Sequence, residues 1–287
     1  MKVVPLAPAM GAEVTGLDLG SECGAHAGGS AGRADFPAGL IAEIRSAWLE
    51  HHLLVLRGQN LTPQRQLDLA RAIGEPDIYP FLDGLDGFPE ITAVLKRETE
   101  TVNFGGVWHT DTIYQETPPM GTMLQAIELP PIGGDTLFAN QQLAWEQLSD
   151  GIKDMLAGLR VVCVANKSKV AASRSARIAE KGTGLDVDMM QASHPVVRTH
   201  PETGKKALYL SPGHAIRFDG WSAEESAGLL EFLFRHQTLP EFQCRLTWRV
   251  GDIAIWDNRS TLHYPLNDYH GHRRCLHRIT LKGDRPV

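Results

Sequence analysis

IAIWDNRSTLHYPLNDY at 253–269 and RRCLHRIT at 273–280 decide the fold class. In the first, a short apolar strand ends at Trp256-Asp257-Asn258 and a turn presents His263. In the second, a period of two puts Arg274, Leu276, Arg278 and Thr280 on one face and Cys275, His277 and Ile279 on the other. One face of this strand must therefore meet two guanidiniums. On an outer face they would be solvated. On an inner face their desolvation is tolerable only with anionic partners, and a carboxylate or sulfonate supplies the bidentate match. The alternation alone leaves both faces open.

Further short strands are expected at 53–58, 122–128, 135–139, 160–165, 195–199, 207–211, 243–249 and 252–256. Helices are expected at 36–50, from the Thr62-Pro63 cap to about Ala72, at 141–158, and at 222–236 behind the cap Ser222. Many short strands with a few peripheral helices predict a mainly β jelly roll, as one domain over 1–287. Two stretches lack clear periodicity and read as active-site loops: 75–106, rich in Pro, Gly and Asp, and 167–192, a candidate lid. The Gly/Ala-rich patch CGAHAGGSAGRA at 23–34 reads as an exposed loop.

The net charge of −6 argues against a surface built to replace phosphate counterions, so no nucleic-acid partner is expected. No apolar run reaches the length of a membrane span, and the opening MKVVPLAPAMGAEV makes a poor signal peptide, so the protein reads as soluble and cytoplasmic, without a membrane partner. Cys23, Cys163, Cys244 and Cys275 form no CxxC pair and read as ordinary thiols.

Trp108-His109-Thr110-Asp111 is the sharpest local signal. Residues two apart in extended chain point to one side, so His109 and Asp111 can reach one metal. With the distant His263 they make two histidines and a carboxylate, a facial set that leaves room for a bidentate 2-oxo acid and for oxygen. Each fragment alone has a plainer reading, as a surface turn or a core histidine.

Together with GGDTLFAN at 133–140, HPVVRTHPETGKKALYL at 194–210 and WDNRSTLHYPLNDYHGHRRCLHRITLKGD at 256–284, these residues resemble the taurine dioxygenase family, in a match that runs from the opening PLAPAMGAEVTGLDL to the C-terminus. The resemblance implies a double-stranded β-helix, Fe(2+) held by His109, Asp111 and His263, and the distal carboxylate of 2-oxoglutarate held by Thr136 and Arg274. It implies that Arg278 meets the acidic group of a small anionic substrate, hydroxylated at the expense of O2 and 2-oxoglutarate, with succinate and CO2 as co-products. It also implies a homo-oligomer.

Departures from the taurine enzymes concern the substrate. Tyr79 stands where they carry a histidine, Gly105 where they carry an asparagine, and His214 at an aromatic position facing the substrate. Tyr79, His214 and Tyr114 are therefore candidate contacts to an organosulfonate, sulfate ester or carboxylate other than taurine. The alternative is a catalytically silent protein binding metal and 2-oxoglutarate on the same fold, against which Thr136, Arg274 and Arg278 all speak. A serine hydrolase, suggested by Gly28-Gly29-Ser30-Ala31-Gly32, lacks the strand and helix a nucleophile elbow needs. Zinc hydrolysis would give a second anion site no role.

Overall fold

The computed structural model describes residues 1–20, 36–167 and 190–287. Its largest sheet runs β1 (Lys2–Pro5), β2 (Ala12–Thr15), β3 (Leu53–Leu56), β15 (Ile253–Asp257), β7 (Gly121–Glu128), β17 (Arg274–Leu281), β6 (Phe88–Lys96), β5 (Gly84–Leu85), with β4 (Pro76–Asp77) also paired to β17. A smaller sheet of β14 (Gln243–Leu246), β8 (Thr136–Asn140) and β16 (Thr261–Pro265) faces it.

Parity along the large sheet divides two cores. Leu53, Val55, Leu124, Ala126, Ala254, Trp256 and Leu276 face inward and pack with Phe138, Cys244 and Leu246 of the small sheet. Their neighbours Leu54, Leu56, Met123, Ile253, Ile255 and Ile279 face outward, under Trp48 of α1 (Ala38–His51) and Leu67 and Ala70 of α2 (Pro63–Ile73). Strands buried on both sides read as continuous apolar runs, and LLVL and IAIW are such runs. Two sheets closed over a shared interior, with helices outside, make the jelly roll expected from the sequence.

A third cluster joins α3 (Gln141–Glu146), α4 (Asp150–Leu156), α5 (Ala223–His236), the hairpin of β11 (Val197–Thr199) and β12 (Lys206–Leu208), and the sheet β10 (Gln191–Pro195), β9 (Arg160–Val164), β13 (Ala215–Phe218). Thr62 caps α2 through Arg65 N at 3.2 Å, and Ser222 with Glu225 forms a capping box on α5.

Several expectations need correction. The stretch 75–106 is not one loop, because its residues Phe88–Lys96 form the nine-residue strand β6, hydrogen-bonded to β17. Pro89 and Ala93 break its alternation, and its inward residues Thr92, Val94 and Lys96 mix polar with apolar, so the pattern of a strand was hidden. The helix at 141–158 is two, since Ser149 is an extended N-cap that starts a new helix. His263 lies not in a turn but in β16, opposite Phe138 of β8. The lid segment lies for the most part, over 168–189, outside the described residues, as do Cys23, the patch at 23–34 and the motif at 28–32.

Candidate metal and anion site

The two sheets diverge at one end over a cavity lined by His109, Asp111, His263, Thr136, Arg274 and Arg278, with Phe104, Leu124 and Trp256 among its apolar walls. The histidines are joined through the backbone: His109 N donates to His263 O at 2.9 Å and His263 N to His109 O at 2.8 Å. This bridge fixes two residues distant in sequence with ring centroids 4.0 Å apart. Ligand atoms of His109, Asp111 and His263 all lie within 4.8 Å of one another.

The surroundings orient these groups. His109 Nδ1 lies 2.7 Å from the carbonyl of Val107, an acceptor that keeps the ring proton on Nδ1 and leaves the lone pair on Nε2, 3.9 Å from Asp111 Oδ1. Thr122 donates to Asp111 Oδ2 at 2.6 Å, Asn258 Nδ2 donates to the Thr122 hydroxyl at 2.9 Å, and Trp256 Nε1 donates to Asn258 Oδ1 at 2.9 Å. This relay occupies one carboxylate oxygen and leaves Oδ1 turned to the cavity.

Burial would raise the Asp111 pKa, but Arg278, His263, His109 and the Thr122 hydrogen bond outweigh it and hold the carboxyl well below its usual range. Burial pushes His263 well below the ordinary imidazole value, His109 and Arg278 adding to it against Asp111. A neutral His263 imidazole and an ionised Asp111 carboxylate are protonation states a divalent metal requires. A set of two nitrogens and one oxygen on one side suits iron(II) with open positions opposite.

A second polar centre lies in the same cavity. Arg274 faces inward, 5% exposed, with Nε and Nη2 buried and without a hydrogen-bond partner among the described residues. Burial pulls its pKa down against Tyr269, Asp135 and Asp268. Beside it, Trp248 Nε1 donates to Thr136 Oγ1 at 3.0 Å, so the threonine proton is left to donate elsewhere. Gly134, at φ +74, lets the chain pass where an added Cβ would come 3.1 Å from Arg274 Cδ. Unpaired buried guanidinium nitrogens are costly, and a carboxylate between Arg274 and Thr136 would satisfy them.

Arg278, two positions along the same face from Leu276, points to the metal end: Nη2 lies 3.4 Å from Asp111 Oδ1 and Cζ lies 4.6 Å from the Tyr79 ring centre. Tyr79 and Tyr114 sit around Phe81, at 5.5 and 6.1 Å, and Tyr114 continues to His214 at 5.2 Å. The three residues singled out for the substrate thus share one aromatic cluster, but none of them is among the residues that line the cavity, and His214 Nδ1 lies 3.0 Å from Val164 O. Thr122, Asn258 and Phe104 escaped the sequence reading. For Thr122 the signal was its parity with Leu124, which puts its hydroxyl inside.

The profile of the taurine catabolism dioxygenase TauD, TfdA family matches residues 3–280. The chain belongs to this family. Within the TauD, TfdA family it is 31% identical to an alpha-ketoglutarate-dependent sulfate ester dioxygenase of Pseudomonas putida, over 100% of this chain and 91% of that protein. Among solved structures it is similar to a taurine dioxygenase from Burkholderia xenovorans, with 32% identity, a TM-score of 0.80 and coverage of 100% of this chain and 90% of that one. It is also similar to AAD-2 in complex with Mn(II) and N-oxalylglycine, with 26% identity, a TM-score of 0.77 and coverage of 99% and 98%.

Proposed function

We propose that the protein is an iron(II)- and 2-oxoglutarate-dependent dioxygenase that hydroxylates a small organic acid, an organosulfonate, sulfate ester or carboxylate, releasing succinate and CO2. The observation that carries this reading is one cavity holding both the His109, Asp111, His263 set and, beside Thr136, the buried Arg274, whose Nε and Nη2 have no hydrogen-bond partner among the described residues. A hydrolytic metal site has no use for the second centre. N-oxalylglycine, the ligand in the complex of AAD-2, is 2-oxoglutarate with a methylene replaced by NH, which supports the same reading of this cavity.

His109, Asp111 and His263 hold the metal in this account. Bound iron(II) supplies oxygen activation coupled to decarboxylation of the 2-oxo acid. Arg274 and Thr136 hold the distal carboxylate of 2-oxoglutarate, which orients its 2-oxo end toward the triad. Arg278 takes the anionic group of the substrate in exchange for Asp111, and the Tyr79 ring, 4.6 Å from its Cζ, backs the guanidinium. Phe104, Leu124 and Trp256 keep the cavity apolar, which strengthens each of these charge contacts. No helix of the described residues is long and apolar enough to cross a membrane.

The test is succinate release from 2-oxoglutarate under air with iron(II) and ascorbate, across alkyl sulfonates, sulfate esters, phenoxyalkanoates and amino acids. Stimulation by one class of anion, lost in His109→Ala, is expected. Absence of 2-oxoglutarate binding by the metal-loaded protein would overturn the reading.

A further inference from the structure

Lys96 ends β6 directly opposite Arg274 in the ladder with β17, on the face that also carries the cavity residues Val94 and Leu276. It is 2% exposed, and its Nζ is buried with no hydrogen-bond partner among the described residues. Its one neighbour of note is the Tyr269 ring, with Nζ 4.4 Å from the centre; Arg274 Cζ lies 5.8 Å from the same centre. Two cations thus flank one aromatic ring at paired positions, where side chains stand about 5 Å apart at Cβ.

An unpaired buried ammonium is costly, and a second cation beside it adds repulsion. The two carboxylates that act on Arg274 each commit one oxygen to other donors: Asp135 Oδ2 accepts from Arg245 at 2.6 Å and Thr247 at 3.0 Å, and Asp268 Oδ1 accepts from Gly134 N at 2.7 Å. The π face of Tyr269 recovers part of the cost but uses none of the N–H donors directionally. A carboxylate has about four lone-pair sites, enough for Lys96, Arg274 and Thr136 together.

We propose that Lys96 is a second cation of the anion cradle. With Arg274 and Thr136 it binds the distal carboxylate of the dicarboxylic 2-oxo acid and selects it over monocarboxylic ones. The assignment rests on the functional reading above. A purely structural lysine, kept for its contact with Tyr269, is the competing account, and the two differ in sign. If the lysine waits for an anion, removing its charge relieves strain in the unliganded protein. If it is structural, removal destabilises it.

The experiment uses the full chain loaded with Mn(II) under argon, titrated calorimetrically with 2-oxoglutarate and with 2-oxovalerate, which lacks the distal carboxylate. Lys96→Met is expected to weaken 2-oxoglutarate binding about 10- to 100-fold and to leave 2-oxovalerate binding unchanged. Its Tm without ligand is expected to equal or exceed that of the wild type, with a smaller rise on adding 2-oxoglutarate. Lys96→Arg, which keeps the charge, should bind within about threefold of wild type, and gives a reading if the methionine variant does not fold. Equal 2-oxoglutarate affinity in wild type and Lys96→Met overturns the assignment alone, as does a parallel loss for both acids with a lowered Tm. Failure of the wild type to bind 2-oxoglutarate overturns the functional reading and this assignment with it.

Discussion

Arg278 Nη2 lies 3.4 Å from Asp111 Oδ1, the carboxylate oxygen that the Thr122 hydroxyl leaves uncovered. The guanidinium neutralises Asp111; on the proposed reading, a metal that took Oδ1 would free it for an anion admitted to the cavity. One arginine can therefore couple metal loading to substrate capture.

Arg278→Gln separates the two roles. Removing a positive charge beside the triad should leave divalent metal affinity equal or higher, while KM for the anionic substrate rises on the order of 100-fold. Metal titration and steady-state kinetics on the same preparation check this, and a large loss of metal affinity would show that Arg278 supports the triad instead.

Thr122→Val keeps the volume and removes the hydrogen bond to Asp111 Oδ2. Metal affinity should fall about 10- to 100-fold, because the carboxylate loses its orientation, and Thr122→Ser should recover most of it. Unchanged affinity in the valine variant would remove the relay from Trp256 through Asn258 from the account.

Gly105 has φ +77, and a Cβ there would come 2.8 Å from His109 Cε1 and 3.1 Å from Nε2. Gly105→Ala adds backbone strain of about 1–2 kcal/mol and pushes on the His109 ring, a proposed metal ligand. The expected result is loss of metal binding with the fold retained, read by metal titration beside circular dichroism.

His52 and His194 are buried histidines whose pKa burial lowers to about 4. Their folded values lie below the unfolded value near 6.5, so the unfolded chain binds more protons between these limits. Their contribution to stability is present above pH 6.5 and lost as pH falls toward 4, at most on the order of 3 kcal/mol each. His194 Nε2 lies 2.7 Å from Ile113 O, just after the triad aspartate. His194→Gln should flatten the fall of Tm between pH 6.5 and 4.

What the sequence shows follows from which residues carry local pattern. His109 and Asp111 are two apart and so were legible as a pair, whereas His263, beyond the turn after Trp256-Asp257-Asn258, was joined to them as a ligand by the family resemblance. The parity of Arg274 and Arg278 was legible too, but not which face is inner, because that depends on β6 and β7 flanking β17. β6 itself was hidden, since a strand whose inner row is Thr92, Val94 and Lys96 has the composition of a loop. Lys96 and Thr122 gain meaning only from their ladder partners Arg274 and Thr280. The aromatic cluster of Tyr79, Tyr114 and His214 joins three distant segments, so only family resemblance pointed to it.

The central claim is that the triad and the Arg274 cradle act on one bound 2-oxo acid with oxygen. The most direct test is turnover under oxygen-18 gas with iron(II), 2-oxoglutarate and the stimulating anion, followed by mass analysis of succinate. One labelled oxygen atom per succinate is expected, and none from Arg274→Gln at the same 2-oxoglutarate concentration; unlabelled succinate, or turnover indifferent to Arg274, would contradict the account.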